Sequence, residues 1–371
     1  MFRRCSLCAV FATLLLSSGC GSQSSTATVN APLGAKSLSS IAPPAFIPGP
    51  LIGESTPRAR ALRRPLAVII ENYDPYSRPQ AGLTPASLVI ETLAEGGITR
   101  FMAVYLENDA PNVGPIRSTR MYFDYLAGGL HAILAHVGGN DDAQAHLWQM
   151  RRAVFNIDEA RWENPNTFYP TGTDLFWRSR DREIPHNMYA STSKLRAYAD
   201  RNRQDWAYEQ AYLLHKVGEP LAHRGHSGSV SISFVDPLAP QPNPGYAVQY
   251  RYDRRSNTYE RFMGGSPHVD ANTGKALWPS NIVVMRTPPA VADPNAGNCP
   301  CSAGSILIPN LGSGSAWYFR DGKVLSGEWQ QKDQFAPLRF FDRRGHQVAF
   351  NPGQTWIEVV PAGSAVSWSF R

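Results

Sequence analysis

Cysteine is scarce, with five in 371 residues, and three of them (Cys5, Cys8 and Cys20) stand at the very start of the chain. Cys299 and Cys301 remain, too few for a disulfide-stapled scaffold or a four-ligand zinc site. Beyond the leader no apolar run is long enough to cross a bilayer. Long blocks of like charge are missing as well: 36 Lys+Arg against 30 Asp+Glu leave +6, spread singly and in pairs. Nucleic acid is therefore not an expected partner. The chain has no glycine-rich nucleotide loop, no paired-histidine zinc helix and no serine elbow, so no cofactor and no metal is expected. What is present is 43% hydrophobic residues over a length that suits about two domains, which excludes collagen, coiled coil and wholesale disorder.

Residues 1–19 read as a signal peptide, with Arg3 and Arg4 as a positive start and Cys5 to Leu16 as a short apolar run. The run closes Leu16-Ser17-Ser18-Gly19-Cys20, which resembles a bacterial lipobox, with Ser17 where that pattern usually has leucine. Cys20 is then the lipidated N-terminus, acylated with palmitate-like chains. Ordinary cleavage after small residues would instead release a soluble secreted protein, and Arg3-Arg4 leave twin-arginine export as a further route. Residues 20–62, rich in Ser, Thr and Pro, bury too little apolar surface to offset their ordering entropy and read as a tether. Two acyl chains anchor firmly, so the expected address is the extracytoplasmic face of the cell membrane. In that oxidising compartment Cys299-Pro300-Cys301 forms either a small strained disulfide or two free thiols.

The folded part divides by pattern. Over 63–222, the run Leu66 to Glu71 reads as a buried strand. Ser87 to Ala94 and Ile98 to Leu106 read as a hairpin turning at Glu95-Gly96-Gly97, where glycine supplies positive φ. Ser118 is placed to N-cap a helix through Met121, Tyr125 and Leu126. Ala132 to Val137 reads as a strand and Gln144 to Arg151 as a helix, with a last helix over Ser191 to Arg203. This order predicts a mixed α/β sandwich. After a connector at 223–229, short alternating runs from Ser229 to Val360 predict an antiparallel β-rich domain over 228–371. The fold class is accordingly α+β or α/β.

Specific residues carry a resemblance. Arg78-Pro79-Gln80-Ala81-Gly82-Leu83, Glu95-Gly96-Gly97-Ile98-Thr99-Arg100-Phe101-Met102 and Gly114-Pro115-Ile116-Arg117-Ser118-Thr119-Arg120 lead the pattern. His136-Val137-Gly138-Gly139, Pro185-His186-Asn187-Met188-Tyr189, Ser266-Pro267-His268-Val269-Asp270 and Asn351-Pro352-Gly353-Gln354-Thr355-Trp356 follow in order. From about 64 to 361 the chain resembles the YerB-like family of bacterial lipoproteins. The resemblance implies an N-terminal and a C-terminal domain, both of unknown function, and an envelope address. It implies no reaction, and the Cys299 to Cys301 loop lies outside it.

Gly114 to Arg120 is the most informative segment: two guanidiniums and two hydroxyls at a helix N-terminus suit phosphate or carboxylate. Alternatively Arg117 and Arg120 pair internally with Glu91 and Glu95, and Ser118 merely caps. Glu91 and Glu95, four apart on one strand face, stand too far from each other for an acid/base pair. Glu95 beside its glycines is placed for a ligand or for a salt bridge to Arg100. His136 at a strand end, and His186-Asn187 in an arginine-rich loop, complete the candidate ligand-binding set with Arg117, Ser118, Arg120, Glu95 and Arg100. Each histidine reads equally as a hydrogen-bonded structural residue. Trp317, Trp329, Trp356 and Trp368 suggest sugar stacking, against which their place inside alternating strands suggests core.

Two functions follow from different classes. One is a non-catalytic binding or regulatory lipoprotein of the envelope, with an anion site in its first domain and a wall polymer or membrane-bound protein as partner. The other is a hydrolase or transferase acting on peptidoglycan or a related polymer, with Glu95, His136 or His186 as acid/base. Convergence of those three side chains on one cleft would favour the enzyme; private hydrogen bonds for each would favour binding.

Overall fold

An unbroken apolar strand needs cover on both faces, and Leu66–Glu71 (β1), every residue of which is buried, has it. The computed structural model describes residues 43–159, 175–205, 210, 212–239, 241–293 and 304–371. The leader, Cys20 and the Cys299–Cys301 loop lie outside those residues. The hairpin follows as Leu88–Leu93 (β2) and Thr99–Tyr105 (β3), turning through Gly96 and Gly97 at φ 72° and 68°. This positive φ is what the glycines supply.

Next come helix α1 (Met121–Gly129), β4 (Ile133–His136), α2 (Asp141–Gln149) and β5 (Phe155–Asp158). A short hairpin, β6 (Phe176–Arg178) with β7 (Met188–Ala190), leads into α3 (Thr192–Arg201). Asn140 caps α2 by accepting from the Ala143 amide at 3.3 Å. Ser118 does not cap α1: the N-cap position is Arg120, without a side-chain cap. Ser118 stands two residues too early, and its carbonyl instead accepts from Arg100.

From residue 228 onward the regular elements are strands and a short 3-10 turn. Those of the two larger sheets are β8 (Gly228–Ser233), β9 (Val248–Asp253), β10 (Thr258–Met263), β11 (Ser266–Pro267), β12 (Asn281–Thr287), β13 (Gly312–Arg320), β14 (Lys323–Gln331), β15 (Arg339–Asp342), β16 (Thr355–Pro361) and β17 (Ala365–Phe370). The chain is thus β-rich, built around one large mixed sheet. That sheet has ten strands in the order β15-β14-β13-β12-β16-β2-β3-β1-β4-β5. The two sequence segments each contribute a contiguous half, and β2 and β16 join them in parallel, with Leu88 opposite Thr355 and Glu91 opposite Glu358. A five-stranded antiparallel sheet, β11-β10-β9-β8-β17, stands beside it. The expected connector is tied down: the amides of Gly225 and His226 donate to Asp321 O and Arg371 O at 2.8 and 2.7 Å.

Strand alternation assigns the faces at the seam. Leu88, Ile90 and Ile357 meet Leu126 and Leu130 around a small apolar cavity beneath α1. Glu91 and Glu358 point the other way, towards the second sheet, and both are fully buried. Arg261 of β10, itself fully buried, reaches across to pair with Glu91 and lies 3.8 Å from Glu358. Its guanidinium stacks 4.3 Å from the Trp356 ring, and its Nε donates to the Tyr250 hydroxyl at 3.0 Å. Tyr250 in turn donates to Glu358. Trp329 and Trp356 are core, as their alternation suggested, with indole N–H groups satisfied by Arg286 O at 2.7 Å and Gln354 Oε1 at 2.8 Å. Trp317 and Trp368 pair at 5.0 Å.

Two neighbouring buried carboxylates cannot share a single guanidinium and both stay ionised. Burial, and then the Glu91 charge, push the Glu358 carboxyl well above the ordinary range. A raised folded-state pKa gives stability that is complete below the ordinary carboxylate range and is lost as pH climbs through the raised value. Glu358→Gln, which mimics the protonated acid, should therefore unfold with a flatter pH dependence than the wild type above about pH 5. Denaturant melts across pH test this, and an unchanged slope would place the titration elsewhere.

Candidate functional site

The segment 113–119 threads between β1 and the β6–β7 hairpin. The Ile116 amide donates to Met188 O at 2.7 Å, the Arg117 amide to Ile69 O at 3.0 Å, and the Glu71 amide to Pro115 O at 2.8 Å. Gly114 is required there, since a Cβ would meet Met188 O at 2.6 Å and the Tyr189 ring at 2.8 Å. Three amide bonds and one close approach thus aim the Arg117 to Arg120 side chains.

Arg120 and Glu95 form a two-pronged pair, Nε to Oε1 at 2.5 Å and Nη2 to Oε2 at 2.7 Å. Burial works against the Glu95 carboxylate, and Arg120 more than reverses it, holding its pKa below the usual value. The internal-pairing expectation is right for this pair and wrong for the other: Glu91 belongs to Arg261, and Arg117 meets Glu71, Nε to Oε1 at 2.8 Å. Glu95 and Arg100 are not an ion pair. Arg100 is 5% exposed, donates Nη1 to Ser118 O at 2.8 Å, leaves its Nε without a partner, and reaches no described carboxylate within ion-pair distance. Burial, and then the Arg120 charge, push its pKa down to about 10. Arg100, Arg117, Ser118, Arg120 and Glu95 therefore do come together, at the start of α1.

His186 lies at a second centre. Its Nδ1 stands 2.9 Å from Glu71 Oε2, and its ring stacks on Tyr73 at 5.2 Å and on Tyr76 at 5.4 Å. Glu71 thus holds both Arg117 and His186. Sequence reasoning passed over it because it closes an apolar run as a strand-end residue; a carboxylate ending a fully buried strand was the available signal. Asn187 is committed to its own hairpin: Oδ1 accepts from Arg178 at 2.9 Å, and Nδ2 donates to Ser179 O at 2.9 Å and Arg182 O at 3.1 Å.

His136 is elsewhere and fully buried, with Nδ1 2.8 Å from Gly138 O and Nε2 2.6 Å from Asn156 Oδ1. Asp158 stands 3.7 Å from it and accepts from the Gly138 amide at 2.7 Å, closing the loop after β4. Glu95, His136 and His186 therefore have three separate partner sets. Among the described residues no cluster of His, Cys, Asp and Glu is arranged to hold a metal ion.

Residues 51–205 match the N-terminal domain, and residues 240–357 the C-terminal domain, of DUF3048, a family described as a protein of unknown function. A Bacillus subtilis (strain 168) protein described as "Putative lipoprotein YerB" is 30% identical over 325 residues, covering 86% of this chain and 88% of that one. The crystal structure of the YerB protein from Bacillus subtilis matches with a TM-score of 0.70 at 29% identity, covering 86% of this chain and 99% of that chain.

The two arginines should respond unequally to removal. Arg120→Met strands the Glu95 carboxylate and should cost towards the lower end of about 3–5 kcal/mol, because Glu95 is partly exposed. Arg100→Met removes a charge that has no carboxylate and should cost under about 1 kcal/mol. Urea unfolding of both variants checks the contrast, and equal losses would contradict the pairing described.

Proposed function

Because the chain belongs to the DUF3048 family, a member of which is named as a lipoprotein, we propose that it is a lipid-anchored protein of the cell envelope that binds an anionic ligand and does not transform it. Cys20 is the lipidated residue and the folded segments stand on the extracytoplasmic face; the tether expected over 20–62 is shorter than its composition suggested, because Phe46–Pro48 pairs with Ser55–Pro57, Arg58–Ala61 forms a helical turn and Leu51 is fully buried in the core. The two segments, 63–222 and 228–371, act as one body through the shared sheet. Among the described residues no helix is long and apolar enough to cross a membrane.

The observation that carries the binding role is a charge count at the start of α1. Three guanidiniums, Arg100, Arg117 and Arg120, share two carboxylates within ion-pair distance, Glu71 and Glu95, while Asp124 in the first turn of α1 faces His146. The cation without a contacting carboxylate is the most buried of the three, Arg100. Water solvates it poorly, so a phosphate or carboxylate brought against it would supply the missing charge and accept from its idle Nε. Arg117, 26% exposed, and Glu95, 21% exposed, form the outer edge. The positive end of the α1 dipole acts in the same direction. The ligand class is a phosphate- or carboxylate-bearing polymer of the envelope. The separate hydrogen bonds of Glu95, His136 and His186 support binding over the hydrolase alternative.

Melting of the wild type should rise with inorganic phosphate or a soluble glycerol-phosphate oligomer, by about 2.7 kcal/mol of stability at a hundredfold excess over Kd. Arg100→Met should lose most of that gain while its ligand-free melt stays close to wild type. The same rise with chloride at matched ionic strength, or an undiminished rise in Arg100→Met, would refute the anion site. Mass spectrometry of the mature N-terminus tests the anchor separately, with Cys20→Ala expected to leave the membrane fraction.

A further inference from the structure

The turn at 270–272, Asn112 and the β6–β7 hairpin enclose a cleft of about 360 Å³ that none of the groups above occupies, a size within the range of small-ligand sites. Trp177 and Tyr189, cross-strand partners in the hairpin, supply its aromatic surface. Asn112, Asp181, Arg182 and Asn272 supply polar groups. The cleft is built: the Asp270 carboxylate accepts from the amides of Gly82, Thr84 and Asn272 at 3.1, 2.7 and 2.8 Å. Asn272 Nδ2 then donates to Asn112 O at 2.9 Å.

The unused hydrogen-bonding groups decide what fits. Tyr189 is nine-tenths buried, yet its hydroxyl has no partner among the described residues, nor has the Trp177 indole N–H. Asn112 Oδ1 and Asp181 Oδ1 accept from no described donor, while Asp181 Oδ2 accepts from Ser179 at 3.1 Å. Arg182 is tied at one edge, its Nη1 and Nη2 donating to Tyr76 O at 2.7 Å and Pro79 O at 2.6 Å, and its charge is offset within the lining by that of Asp181. Lys194 lies outside the lining, its Nζ 5.8 Å from the Trp177 ring. Donors and acceptors are thus mixed around two rings, and one carboxylate and one guanidinium leave the lining without net charge. An ion of either sign gains no net attraction, and a purely apolar ligand would strand the polar groups. A ligand whose hydroxyls both donate and accept, and whose C–H faces lie flat on rings, satisfies all of them.

We propose that this cleft binds a neutral oligosaccharide, at a site separate from the anion centre and independent of it. Calorimetric titration of the full folded chain with chitotetraose and with maltotetraose tests it. At least one should bind with Kd at or below about 1 mM. Trp177→Ala should weaken binding roughly tenfold, Asn112→Ala less, and Tyr189→Phe, which deletes only the hydroxyl, about threefold. Arg100→Met should bind the sugar as wild type does, so failure of one site is distinguishable from failure of the other. Circular dichroism melts confirm that each variant is folded. No binding of either saccharide, binding untouched by all three cleft variants, or cleft-dependent binding of a glycerol-phosphate oligomer in their place would overturn the proposal.

Discussion

Everything else in the fold leans on one guanidinium held between two carboxylates where the halves of the sheet meet. Glu91 and Glu358 are register neighbours on parallel strands, so their side chains leave the sheet on the same face, one beside the other. Ionised together, out of water, they would force the seam apart. Arg261 arrives from the second sheet, and the arrangement is stable because the load is shared. Glu91 takes the ion pair and accepts from Thr99 at 2.5 Å. Glu358 keeps its proton and its tie to Tyr250. A pair made this way adds little net stability compared with an apolar core of equal volume. What it fixes is which strands are neighbours and which sheet lies over them.

From that centre the hydrogen bonds run outward to the surface sites. Arg261 donates Nη1 to His268 Nδ1 at 2.5 Å, and His268 Nε2 faces Gln80 Oε1 at 2.9 Å. Burial and the adjacent guanidinium hold His268 well below the ordinary histidine range, so it is neutral and can accept from one side while donating to the other. Gln80 Nε2 donates to Asn72 Oδ1 at 2.9 Å, which also accepts from Arg78 Nε at 2.8 Å. Asn72 Nδ2 returns to Thr99 at 2.7 Å and so to Glu91. The loop leaving β1 is therefore fixed at both ends. It carries Tyr73 and Tyr76, whose rings stack on His186, and the carbonyls that occupy Arg182. The backbone of Gln80 also accepts from the Ala271 amide at 2.8 Å, which links the ring network to the turn edging the cleft. Rigid support of this kind is what a binding surface needs if it is not to lose affinity to ordering its own side chains.

Much of the fold was legible because local chemistry and tertiary environment agree. The run Leu66 to Glu71, the glycine turn at 95–97 and the short runs of the second segment fold as their patterns suggest, while the helix expected over Gln144 to Arg151 starts earlier, at Asp141, where Asn140 caps it. The main departure is in assembly. Period-two alternation says which side chains share a face, but not that Leu88 will pair with Thr355, 267 positions away in the chain. The same gap hid the ion pairs. Glu358 interrupts an otherwise apolar run, and a charge in that position signals a buried partner without naming it, whereas Arg261 follows Glu260 in a mixed strand and carries no such mark. Arg117 and Arg120 were visible as a cationic segment, whereas Glu71, which anchors the first of them, looked like the end of a strand. Ser118 shows the limit of capping rules: the helix starts where the backbone can turn after Arg120, and a serine two residues earlier serves through its carbonyl.

Charge bookkeeping around the first turn of α1 is what the proposed binding role rests on, more than any motif. A general acid or base must exchange its proton with substrate, so it needs a face free of permanent partners. Glu95 has both oxygens engaged by one arginine, and His136 has both nitrogens within hydrogen-bond distance of protein acceptors. Arg100 presents a different condition: a cation that no described carboxylate contacts, kept in a low-dielectric wall where its field is weakly screened. A group that is permanently charged and cannot give up its proton at physiological pH does no acid–base work. It can only attract, and the surrounding pairs, already neutral, leave that attraction undivided.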